Sequence, residues 1–84
     1  MNTSSRTLSQ IPVGTSVRID RYLSSDPALR RFREMGLLPG TIIRVVRLAP
    51  MGDPMEISVG ASLLSLRREQ AALITVTAEP TDGK

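Results

Sequence analysis

Between Phe32 and Val76 the chain is cut into short pieces by turn residues. Phe32-Arg33-Glu34-Met35-Gly36-Leu37-Leu38-Pro39-Gly40-Thr41 leads into an apolar run. Ala49-Pro50-Met51-Gly52-Asp53-Pro54-Met55 follows, then Leu64-Ser65-Leu66-Arg67-Arg68-Glu69-Gln70-Ala71 and a closing Ile74-Thr75-Val76. Short segments bounded by Gly and Pro favour a small β-barrel over an open sheet. With 84 residues there is room for one domain with one thin core. Residues 1–7 read as a disordered N-terminal tail, 8–78 as the folded domain and 79–84 as a frayed C-terminal tail.

The elements follow from local chemistry. Leu8 to Val13 is a lead-in to the turn at Gly14. Thr15 to Leu23 alternates as a strand with Val17 and Ile19 on one face, and Arg21 breaks the alternation, marking an end or a bulge. Asp26-Pro27 starts a helix: Asp26 can accept the first free N–H groups, and Pro27 suits the first helical position. Leu29, Phe32 and Met35 form its apolar stripe over two to three turns, and Gly36 stops it in a left-handed conformation. Leu38-Pro39-Gly40-Thr41 predicts a type II turn. Ile42 to Ala49 is β-branched and apolar on both parities, which predicts curvature or cover on both faces. Pro50 to Pro54 reverses the chain, Glu56 to Val59 alternates inward at Ile57 and Val59, and Leu64 and Leu66 belong to another strand. Arg67 to Ala72 is one helical turn and Leu73 to Thr77 the last strand. The sum is about five strands with two short helical insertions, a pattern that does not separate an SH3-like barrel from an OB-type one.

The chain has no histidine and no cysteine, so a metal could meet only oxygen ligands. The carboxylates form no spaced cluster, whereas a selective transition-metal site normally calls for imidazole or thiolate. No cofactor, metal site or catalytic residue is expected, since no serine has a histidine to activate it and no glycine motif cradles phosphate. An enzyme is therefore not expected. No apolar run approaches a membrane span, and absent cysteines suit the cytoplasm. Net charge is +3, and the eleven basic residues include a single lysine, Lys84. Arginines cluster at Arg30, Arg31 and Arg33 and again at Arg67 and Arg68, while Arg44 and Arg47 fall on opposite faces of a regular strand. A nucleic-acid barrel would also need aromatic platforms, and the chain has one tyrosine and one phenylalanine.

Two readings fit the loop Pro50 to Met55. It is a rigid hairpin loop with Met55 packed beneath it, or it is a partner surface in which two prolines reduce the entropy of binding and Met51 offers an adaptable apolar contact. Leu38 has the same two readings, and Arg67 and Glu69 either brace the second helix or face a partner.

The ordered blocks Arg33-Glu34-Met35-Gly36-Leu37-Leu38-Pro39-Gly40, Pro50-Met51-Gly52-Asp53-Pro54 and Leu64-Ser65-Leu66-Arg67 through Ala71 resemble the FeoA family, small cytosolic proteins that accompany the ferrous iron transporter FeoB in bacteria. Phe32 and Met35 stand where that family often has leucine, and the resemblance covers residues 8 to 78. It implies an SH3-like barrel and an adaptor that binds and modulates a FeoB-type transporter from the cytoplasm, recruited to the inner face of the membrane by that partner. The contact residues it favours are Leu38, Pro50, Met51, Asp53 and Pro54. Self-association stays open. The alternatives are an interaction domain like that of metal-dependent transcription regulators and a small RNA-binding barrel.

Overall fold

The computed structural model describes residues 6–78. Six antiparallel strands form one sheet in the order β1-β6-β2-β3-β4-β5. They are β1 (Arg6–Thr7), β2 (Ser16–Tyr22), β3 (Ile42–Leu48), β4 (Met55–Val59), β5 (Ser62–Leu66) and β6 (Ile74–Ala78). Two helices, α1 (Arg30–Glu34) and α2 (Arg68–Ala71), are joined by 3-10 turns at Leu8–Gln10, Pro27–Leu29 and Pro50–Gly52. The strand count exceeds the expected five because Arg6 and Thr7, assigned to the tail by sequence, pair with Val76 and Thr75 of β6. The remainder of the two expected tails, residues 1–5 and 79–84, lies outside the described residues.

The inward positions of the strands meet in one core with Leu8, Ile11, Leu29, Phe32, Leu37 and Ala71 from the connections. Val17 and Ile19, Ile43 and Val45, Ile57 and Val59, and Leu64 and Leu66 are the buried pairs from β2 to β5. Alternation thus decides which sheet face turns inward. Two bulges bend the sheet. The β2–β6 register shifts between Ile19 and Arg21, as the broken alternation predicts. There Thr75, a buried hydroxyl, donates to Asp20 Oδ2 at 3.0 Å and to the Arg21 carbonyl at 3.2 Å.

The second bulge lies between Val45 and Arg47 of β3. Arg44 pairs with Ser58 and Arg47 with Glu56, so the extra residue restores both arginines to the same outer face. This corrects the expectation of opposite faces. It also accounts for apolar residues on both parities in β3. Curvature is present, but cover is not: Ile42 on the outer face and Val46 at the bulge remain exposed, as does Leu48 at the inward register opposite Met55.

The first helix has the expected length of two to three turns but opens as a 3-10 turn, continued by five α-helical residues. Asp26 Oδ1 accepts from the Ala28 N–H at 2.9 Å. At the other end the Leu37 N–H donates to the Phe32 carbonyl and the Gly36 N–H to the Arg33 carbonyl, both at 3.0 Å. That is a Schellman motif with Gly36 at its left-handed position, φ +102°. The same geometry corrects the apolar stripe. Leu29 and Phe32 are buried, but the core position expected for Met35 is taken by Leu37, and Met35 is half exposed. Met35 is the last residue before the chain turns left-handed, so it falls off the buried track.

Candidate functional site

The loop between β3 and β4 is built to hold its tip away from the body of the protein. Pro50 starts a 3-10 turn, the Gly52 N–H donates to the Ala49 carbonyl at 2.7 Å, and the Ala49 N–H donates to the Pro54 carbonyl at 3.0 Å. The peptide bond between Asp53 and Pro54 is cis. At the tip, Met51 adopts φ +68° and is 98% exposed. A left-handed backbone costs a side-chain-bearing residue about 1 kcal/mol or more, and methionine has no local hydrogen bond to offset it. Neither backbone preference nor packing therefore explains a methionine here. Met55, below the loop, is buried in the core, as one of the two sequence readings requires.

The loop is tied to α2. Asp53 Oδ1 accepts the Arg68 N–H at 3.0 Å, satisfying a free donor at the start of that helix. The Arg68 side chain lies against Gly52, where a Cβ would stand 2.9 Å from its Nη1. Sequence reasoning placed any brace at Arg67 and Glu69. In the structure Arg68 makes the tie to the loop, while the Arg67 N–H donates to Gln70 Oε1 at 2.9 Å. No local pattern links residues fifteen positions apart, so this tie was not legible from spacing.

The five expected contact residues fall in two places. Pro50, Met51, Asp53 and Pro54 share the loop. Leu38 opens the turn before β3, where the Thr41 N–H donates to its carbonyl at 2.9 Å and Gly40 has φ +92°, the expected type II form. The loop follows the far end of the same strand, about 20 Å away by strand rise. Leu38 is exposed but does not join the loop surface.

Both aromatic rings are already engaged. Phe32 is buried with the Arg31 guanidinium 5.5 Å from its ring centre. The Tyr22 hydroxyl donates to the Leu37 carbonyl at 2.7 Å, Arg33 stacks 4.1 Å from its ring centre, and Arg33 also donates to the Ser24 carbonyl. These contacts fasten α1 to β2 and leave no free stacking platform for bases. Burial raises the Tyr22 phenol above its ordinary value of 10.0, against the opposing pull of Arg33. A raised acid is favoured neutral in the folded state, so its contribution to stability is whole below pH 10.0 and is lost as the pH climbs through the higher folded value. Phenolate absorbance is expected to appear above pH 10.0 in the folded protein, with denaturant midpoints constant below that pH and falling above it. A midpoint that rises with pH across that range would refute the assignment.

Among the described residues no three His, Cys, Asp or Glu side chains stand together as a metal site. No helix of the described residues is long and apolar enough to cross a membrane. The FeoA domain model matches residues 6–78. A Porphyromonas gingivalis protein that fuses Fe(2+) transport protein A to the Fe(2+) transporter FeoB is 38% identical over 69 residues, covering 82% of this chain. The chain spans 8% of the length of that relative. The solution structure of FeoA from Chlorobium tepidum superposes with a TM-score of 0.80 at 33% identity, covering 86% of this chain and 69% of that one. FeoA from Stenotrophomonas maltophilia, solved with zinc and described as a prokaryotic SH3 domain protein, gives 0.72 at 34% identity, covering 83% and 87%. The sheet described above is accordingly SH3-like.

Proposed function

The chain belongs to the FeoA family, which serves ferrous iron transport, and we propose that it acts as an adaptor binding the cytosolic side of a FeoB-type transporter. It modulates transport by contact alone. Support for the partner comes from the relative that carries both proteins in one chain. The observation that carries the contact site is Met51, a fully exposed methionine on a left-handed backbone, held in place by Asp53 and Arg68. Pro50 and Pro54 stiffen the loop, which lowers the entropy lost on docking. The Met51 thioether then enters an apolar recess of the partner.

Met51→Glu tests this. Because Met51 makes no core contact, the variant is expected to fold within about 0.5 kcal/mol of the parent. Burying the new carboxylate against an apolar partner is costly, so transporter-dependent ferrous uptake in cells lacking the native copy is expected to fall to the level of an empty vector. Normal folding with normal uptake would move the docking surface away from the loop.

A further inference from the structure

Among the described residues β5 is the last strand of the sheet and pairs only with β4. Its outer edge borders α1, and together they line a groove of about 270 Å³. Phe32 and Leu64, both buried, form its floor; Met35, Leu63, Ser65 and Arg31 complete it. Leu63 is 60% exposed and Met35 48%.

The hairpin turn determines which backbone groups face this groove. Gly60 has φ +60° while Ala61 does not turn left-handed, as in a two-residue type II′ turn closed by the Val59–Ser62 pair. That closing pair is hydrogen-bonded, and bonded pairs alternate along an antiparallel ladder. Ser62, Leu64 and Leu66 therefore direct their N–H and C=O groups to β4. Leu63 and Ser65 direct theirs outward, where no hydrogen bond from another described residue reaches them. The edge carries no proline, no charge and no bulge, the usual devices that block further pairing.

We propose that the β5 edge captures an extended segment of a partner protein by strand addition, with an apolar side chain between Leu63 and Met35 and a carboxylate at Arg31. The charge identifies the occupant. Among the described residues Arg31 is the only charged one lining the groove, and no described carboxylate pairs with it. A second copy adding its own β5 would bring the same Arg31 across the groove, and one adding its β1 would bring Arg6. Neither that groove lining nor β1 holds a carboxylate, so the charge favours a different, acidic chain. The groove is centred on Leu64, midway along β5, and shares no lining residue with the Met51 loop. The proposal is therefore independent of which surface meets the transporter.

The probe is a blocked peptide of about six residues, the length of an ordinary strand, alternating valine and threonine with one aspartate. On saturation the Leu63 and Ser65 amides are expected to exchange about tenfold more slowly, while those of Leu64 and Leu66 change little. Ser65→Pro removes an outward N–H and no ladder bond, so it is expected to fold normally and lose the peptide. Arg31→Glu is expected to weaken binding roughly fivefold, and a peptide with lysine in place of aspartate to recover it. Unchanged exchange at millimolar peptide overturns the proposal, as does equal binding by Ser65→Pro. Unfolding of Ser65→Pro would put its N–H in the ladder and overturn it too. A concentration-dependent dimer dissolved by Ser65→Pro would assign the edge to a second copy instead.

Discussion

Truncating Phe32 to alanine is expected to destabilise the protein by about 3–5 kcal/mol. The ring is the largest fully buried side chain, and it closes the space between α1 and the sheet. Its carbonyl also accepts the Leu37 N–H that ends the helix, so the cavity opens beside the capping motif. A domain of this size holds about 5–15 kcal/mol in total, and each kcal/mol moves its melting temperature by about 4–8 °C. The variant should therefore melt far below the parent or fail to fold at ambient temperature. Phe32→Leu, which refills most of the volume, is expected to recover the greater part of the loss. Denaturant unfolding of the three proteins decides the matter. A loss below about 1 kcal/mol for the alanine variant would remove Phe32 from the core.

Gly36→Val should cost about 2 kcal/mol, close to 10 °C in melting temperature for a domain of this size. The cause is the backbone. At φ +102° a β-branched residue is strained, while a Cβ at this site would meet nothing nearer than Val59 Cγ1 at 3.8 Å. Space is available, so relief cannot come from moving a neighbour. The substituted valine would instead force the chain out of the left-handed position, releasing both capping hydrogen bonds and displacing Leu37 from the core. Gly36→Asn tolerates the left-handed region better and is expected to lose less. Equal melting curves for glycine, asparagine and valine would show that the helix ends elsewhere.

The features legible in the sequence are those set by neighbours along the chain. Alternation at Val17 and Ile19 and at Ile57 and Val59 gives the inward face of β2 and β4, because successive strand residues point to opposite sides. The break at Arg21 marks the bulge, Asp26-Pro27 the helix start, Gly36 its stop and Pro39-Gly40 the type II turn, since each depends on conformations that few residue types accept. The exposed tip at Met51, between a proline and two turn residues, belongs to the same class.

Contacts between distant segments were decided by the tertiary structure. Arg6 and Thr7 carry no strand signal and become a strand because β6 offers an open edge. Arg44 and Arg47 share a face only because pairing with β4 inserts one extra residue between them. Met35 yields its core place to Leu37 because the left-handed turn at Gly36 carries Leu37 back over the core and leaves Met35, the capping residue, at the rim. The tie from Asp53 to Arg68, the separation of Leu38 from the loop and the groove between α1 and β5 likewise join residues far apart in the chain. Local propensity selects the conformation of each short segment. Which segments then meet depends on burying one shared core, and that is a property of the whole chain.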